Sequence, residues 1–396
     1  MGGKHKWLGG ALLKDVFFAV PSHSRYVLRV DPVLEEVSYV EDELPVGKFK
    51  WLRAVATNEA IFGIPCCATS VLCISGGRVK MVPISGTDED LHEQWKWHGA
   101  QLSGDECIYA PPANARQVLK VDIHRLEASL LPITTSAEGK DWNFSTGKSK
   151  FYGGILDDFG SVWGIPFSAG AVLKACENRA TVIDLPEDHD GFEKNHHGGL
   201  KCAKTGAIFG FPANSDHIIR IDPGGPLKDD KVTLLPVPGP RSKYQWAGGL
   251  QCDATGIIYG LPSDAPDILK IDPFTNHVSR FGQDFFQPYQ KNKFQNAILG
   301  SDAAFYAIPS DADYVLRIDP LTDTLTRIGE GIIPPGKDKW QGGFAFRDSL
   351  WAVPENAEYL LKIDIPSQTV SLVGWTHPPP DSLSTMLPTH EEKNYS

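Results

Sequence analysis

The chain has 396 residues, with 38 Lys and Arg against 49 Asp and Glu, for a net charge of −11. That balance excludes a general nucleic-acid binder, which needs a basic face for the phosphate backbone, and no apolar run approaches the ~18 residues that span a bilayer. Gly (38) and Pro (30) are plentiful and point to many short strands joined by turns.

The first 50 residues set out a unit that recurs along the chain. KWLGG at Trp7 pairs an aromatic with two glycines, and an apolar run follows that closes on Pro21. A run of the type VLRID ends ten residues later at Asp31, and a last short apolar segment completes the unit. Each segment is too short for a helix and is bounded by turn residues, so one unit predicts a meander of four antiparallel strands. Self-similarity of roughly 48 residues per copy predicts eight repeats, about 6–49, 50–95, 96–149, 150–194, 195–244, 245–292, 293–338 and 339–374.

The copies differ in telling ways. In the second, Arg53 stands where six of the other copies carry the first Gly of the pair, and Cys66 and Cys67 follow Pro65. The third places His98 before its glycine and ends in an insert, 132–150. The fourth has Tyr152 at the His98 position. Ahead of the fifth, DHDGFEKNHH crowds Asp188, Glu193, His196 and His197, with His196 in the aromatic place; carboxylates and imidazoles of this kind ligate zinc or manganese. The spacing matches no standard zinc site, and Asp188, Glu193 and His196 stand as metal candidates for an unknown metal. The sixth ends in the aromatic, basic loop FQPYQKNKF, the seventh carries Asn296 in the first-Gly place, and the eighth has Gln341 before its glycines.

Four-stranded meanders that are apolar on both faces must stack on neighbours, and radial stacking gives an all-β propeller. The prediction is therefore one eight-bladed β-propeller over 1–374, with seven blades as the alternative, followed by a Pro-rich polar tail, 375–396. The run GIIYGLPSDAPDILKIDPFTNHVSRFG resembles β-propeller repeats, and among them those of the streptogramin-lyase-like family, in which a Gly-aromatic strand precedes one ending in Ile-Asp-Pro. The resemblance implies the propeller architecture; the lyase's catalytic His and magnesium-binding acids have no counterpart that can be placed here residue by residue.

With the Gly-pair segment as innermost strand, Arg53, His98, Tyr152, His197, Asn296 and Gln341 become candidates for a ligand site in the central channel. Lys6, Lys50, Lys96, Lys150, Lys293 and Lys339 precede the aromatic and predict a ring at one channel mouth. Such a ring would take an acidic peptide or small anion, unless each head simply stays in water with its stem on the aromatic. The dense repeat predicts a non-enzymatic binding or scaffold protein that engages a protein partner or serves as a subunit of a larger assembly, without a cofactor and without nucleic acid. The alternative is a lyase- or hydrolase-type enzyme at the channel mouth, with or without a metal. Seven cysteines in so long a chain do not form a disulfide framework, which predicts an intracellular, reducing compartment, in the cytoplasm or an organelle interior, with a cleaved targeting segment left open.

Overall fold

The computed structural model describes residues 2–87, 91–134, 147–186, 194–225, 228–287 and 289–379. Its elements are strands. The first meander runs Trp7–Leu13, Val16–Pro21, Leu28–Asp31 and Glu36–Tyr39, each strand antiparallel to the next. The same order recurs down the chain. Two meanders are joined edge to edge into an eight-stranded sheet, because Arg78–Ser85 pairs in parallel with Glu127–Leu131. Another gains a fifth strand, Ile133–Thr134, on its outer edge at Arg179–Asp184. These parallel pairings are sewn between neighbouring repeats and cover edges that would otherwise be open to other chains.

The aromatic that opens the inner strand anchors it. The indole N–H donates to a carbonyl about two strands further on: Trp7 to Tyr26 at 3.0 Å, Trp51 to Ser70 at 2.9 Å, Trp97 to Gln117 at 3.0 Å, Trp246 to Asp267 at 3.0 Å and Trp340 to Tyr359 at 2.8 Å. These rings are almost wholly buried, so the N–H needs that acceptor. The second strand of each meander is buried along nearly all its length, Ile258–Pro262 throughout and Val16–Pro21 and Ser349–Pro354 from their second residue on.

The inner strands lie against one another in chain order, and the last, Trp340–Phe346, packs on the first, Trp7–Leu13. A hoop of backbone hydrogen bonds seals this circle. In each repeat the residue after the proline donates its N–H to the carbonyl of the residue before the aromatic, and its own carbonyl accepts from the corresponding amide of the next repeat. Ser22 N–H thus donates to Lys6 at 2.8 Å, Lys50 to Ser22 at 3.1 Å, Cys66 to Lys50 at 2.8 Å and Lys96 to Cys66 at 2.9 Å. The relay continues through Ala113, Lys150, Phe167, Asn195, Ala213, Gln245, Ser263, Lys293, Ser310 and Lys339 to Glu355, whose carbonyl accepts from Lys6. The arrangement is that of a β-propeller. Of the tail, Trp375 meets Trp7 edge to face at 5.9 Å and Thr376 bonds the backbone of Val37, so these two residues lie against the first meander.

Candidate axial site

The lysines do not form the open ring that their spacing predicted. Lys6, Lys50, Lys96, Lys150, Lys293 and Lys339 are all buried, none more than 4% exposed. Each ammonium donates to main-chain carbonyls: Lys6 to Gly3, Glu355 and Ala357, Lys50 to Ser24, Lys96 to Glu93, Lys150 to Gly147, Lys293 to Ser263 and Gln290, and Lys339 to Ser310 and Gly336. The physical reason is the crowd of carbonyls around each inner-strand start, some of them, as at Glu355, Ser263 and Ser310, already accepting one backbone N–H, whose remaining lone pairs a long stem with three donors satisfies. Burial pulls the ammonium of Lys6 down to about 7 and those of the other five to about 8. They tie the hoop together and leave no donor ring for an incoming anion.

The mouth is built instead by the residue one step earlier, which is left-handed in every repeat: His5, Phe49, Trp95, Ser149, Lys194, Tyr244, Asn292 and Asp338 have φ between 47° and 61°. That conformation turns the chain into the hoop, and its amide is taken up by the second residue after a proline, as in Asn114 Oδ1 accepting from Ser149 at 2.8 Å and Asp264 Oδ1 from Asn292 at 2.7 Å. On one side the mouth is aromatic. His5 and His23 lie 5.3 Å apart, both against Phe49, and Phe49 lies 4.6 Å from Trp95. Leu8, Leu52 and Cys66 form the floor beneath them.

Further in, the glycines hold the inner strands at backbone contact, so a Cβ on Gly99 would stand 2.7 Å from the Cα of Gly153. Arg53 and Asn296 interrupt that glycine belt. Three of the predicted channel residues come together on one wall: His98 stacks on Tyr152 at 4.0 Å, Tyr152 on Phe167 at 4.0 Å, and His197 meets all three rings edge-on. The Arg53 guanidinium is close enough to His98 and His197 that burial and its charge together push both imidazoles down, His197 to about 4. Arg53 in turn feels the Glu355 carboxylate, and it makes no hydrogen bond or ion pair among the described residues. Glu355, raised by burial, bonds His5 Nδ1 at 2.6 Å. On the opposite wall Gln341 donates to Gln295 at 3.0 Å and Gln295 to Asn292 at 3.0 Å, while exposed Asn296 accepts only from the adjacent amide of Ala297.

Of the three metal candidates only His196 lies among the described residues. That side chain is fully buried and its Nε2 meets the carbonyl of His217 at 2.9 Å, filling the part that tryptophan plays elsewhere. Asp188 and Glu193 lie outside the described residues, as does most of the 132–150 insert. Among the described residues no three His, Cys, Asp or Glu side chains converge as metal ligands, and no helix is long and apolar enough to cross a membrane.

Residue typing missed Phe167, Glu355 and the pair Cys66–Cys67. Their signal is positional. The residue after the proline is Ser or Ala in the other copies, so these are the places where a larger or reactive group has entered the hoop.

The class these features define is the β-propeller. Neither a protein-family model nor a curated protein matches the chain. Solved structures do. Virginiamycin B lyase from Staphylococcus aureus aligns with a TM-score of 0.56 at 10% identity, over 77% of this chain and 92% of its own. A streptogramin B lyase aligns with a TM-score of 0.54 at 12% identity, over 77% and 91%. A computationally designed protein, Ika8, gives 0.61 at 11% identity, over 90% and 95%. At such identities the likeness is one of fold, and it agrees with the streptogramin-lyase-like character of the repeats.

Proposed function

We propose that residues 1–374 form a single propeller of eight blades that binds a ligand without transforming it, as a docking subunit whose axial mouth receives an acidic group of a protein partner. The unbroken hoop from Lys6 round to Glu355 supports the blade number, since a spare repeat would stand outside it. Arg53 carries the binding reading. A guanidinium replaces glycine at the crowded axis, half-buried and uncommitted, and offers a planar fork of donors to a carboxylate where water is scarce. The enzymatic reading asks His98 or His197 to move protons near neutral pH. A base pushed to about 4, as His197 is, has little driving force there.

The test uses fluorescence-labelled hexaglutamate and hexalysine peptides with the wild-type chain and Arg53→Gly, which restores the glycine of the other repeats. Hexaglutamate should bind, weaken with salt and lose at least tenfold in affinity in the variant, while hexalysine should not bind. Equal hexaglutamate affinity in the two proteins overturns the assignment.

A further inference from the structure

An exposed basic column lies two residues ahead of the buried one. Lys4, Lys48, Lys148, Lys243, Lys291 and Lys337 stand three residues before the aromatic of their repeats, and all six are exposed. Gln94 holds the place in the third repeat, and in the fifth it falls to Glu193, outside the described residues. Among the described residues no hydrogen bond or ion pair engages the ammonium of any of the six. Their neighbours are committed. Arg25 is taken by Glu43, Lys194 donates to the Tyr244 hydroxyl at 2.9 Å, and the carboxylates of Asp264 and Asp311 accept the backbone amides of Asn292 and Asp338.

The buried lysine fixes the exposed one. Its ammonium donates to the carbonyl three residues back: Lys6 to Gly3 at 2.8 Å, Lys150 to Gly147 at 2.7 Å, Lys293 to Gln290 at 3.1 Å and Lys339 to Gly336 at 3.2 Å. That carbonyl belongs to the residue just before the exposed lysine, so each bond clamps the peptide from which the exposed side chain springs. The left-handed residue follows at once and turns the chain into the hoop. The exposed lysine therefore stands at the outer corner of a clamped turn, with its head in water. Clamp and turn recur with the hoop, so the charges recur around the axis on the face where Phe49 and Trp95 meet. A chain of net charge −11 gains no solubility from gathering six like charges there, and an anionic partner relieves their repulsion.

We propose that these six lysines form a docking rim for an extended acidic segment of a protein partner, laid across several blades of the mouth face, with one of its carboxylates at Arg53. Only that last contact rests on the axial reading of Arg53. Rim charges act through their summed field: they speed the encounter and fade with salt, while a buried contact governs departure. At physiological salt the field is screened within about 8 Å. A narrow segment lying on the rim therefore feels the lysines and little of the distant acids. A flat anionic membrane would instead meet the charge of the whole chain, which is negative.

The full chain is mixed in stopped flow with fluorescein-labelled polyglutamates of six and twelve residues, which reach at most about 20 and about 40 Å. The longer peptide should bind about tenfold more tightly, because it meets more of the rim. Two triple variants divide the lysines: Lys48→Gln with Lys148→Gln and Lys243→Gln, and Lys4→Gln with Lys291→Gln and Lys337→Gln. Both should keep the urea midpoint of the wild type, since no bond of an ammonium is lost. At low salt each should lose about tenfold in association rate with the longer peptide, change little in dissociation rate, and show a flatter salt dependence. Phosphatidylserine vesicles should not bind. Association rates equal to wild type in both triple variants, or vesicle binding by a chain that ignores the longer peptide, overturns the proposal. The two readings fail separately. A loss confined to Arg53→Gly removes the rim and leaves the axial contact, whereas a loss confined to the lysine variants leaves the rim and removes Arg53.

Discussion

The amide of Lys6 donates to the carbonyl of Glu355 at 3.2 Å, and the ammonium of the same lysine reaches that carbonyl at 2.8 Å. One residue thus closes the hoop between the two ends of the chain by the bonds used between interior neighbours. The junction carries a second clasp in the pair His5–Glu355. Among the described residues no strand is exchanged between the first and last meanders, so closure rests on these contacts, on the packing of the last inner strand against the first, and on Trp375 and Thr376.

The buried lysines give the most direct test of the hoop. Lys293→Met keeps the stem and removes donors from the carbonyls of Ser263 and Gln290, which should cost about 1–3 kcal/mol. Lys293→Gln should cost less, because Gln245 already fills the equivalent place and donates to the Ser215 carbonyl at 2.9 Å. Urea midpoints of the two variants check the order; equal losses would mean that the ammonium is not what the carbonyls require.

Gly99→Ala tests the crowding at the axis. Its φ of 143° disfavours a side chain, and the new Cβ would press on the Gly153 backbone at 2.7 Å, where nothing flexible can give way. A loss of about 2–4 kcal/mol in chemical unfolding is expected. Arg53→Gly should leave stability within about 1 kcal/mol of wild type, since glycine is the residue six of the other inner strands use there.

The strand grammar was legible because tryptophan, proline and aspartate each do a fixed geometric task, and His196 shows how column adds to type: by type it is a metal candidate, by column it takes the tryptophan's place against the carbonyl of His217. The lysine ring misled for a related reason. Its acceptors are main-chain carbonyls, which carry no residue identity, so nothing in the side-chain pattern distinguishes a buried Lys96 from a solvated one. The mouth was hidden more thoroughly. His5, Phe49, Trp95, Ser149, Lys194, Tyr244, Asn292 and Asp338 share a left-handed backbone and no chemistry, and only the register of the lysine beside them marks the position. The axial cluster of Arg53, His98, Tyr152 and His197 was accessible because each departs from the residue that its column leads one to expect.

Removing residues 375–396 should lower the thermal midpoint by several degrees without unfolding the propeller. Trp375 packs against the cluster of Trp7, Phe17 and Phe344, and Thr376 supplies both a donor and an acceptor to the exposed edge at Val37. Trp375→Ala alone should reproduce most of the loss if packing dominates, whereas Thr376→Val should do so if the edge hydrogen bonds dominate. Differential scanning calorimetry of the three variants separates the two contributions.

The axial histidines should make the protein lose stability on mild acidification. His197 falls to about 4 in the folded chain, and His98 lies well below its ordinary value, because burial and the Arg53 guanidinium oppose a second cation. An unfolded histidine titrates near 6.5. Between roughly pH 6.5 and 4 the unfolded chain therefore binds protons that the folded chain refuses, and stability drops as pH falls through that window. Above it both states are neutral and the contribution is complete. Glu355 works the other way: its carboxyl is raised by burial, so its protonation just above the ordinary carboxylate range favours the folded state and offsets part of the loss. For half-buried rings the net slope should amount to roughly 1–2 kcal/mol per histidine between pH 7 and 4.5. His197→Gln keeps a polar, uncharged group beside Arg53 and should flatten the pH dependence of the urea midpoint, and Glu355→Gln should steepen it. If Arg53→Gly leaves the slope unchanged, the guanidinium is not what holds the imidazoles neutral, and burial alone accounts for their low affinity for protons.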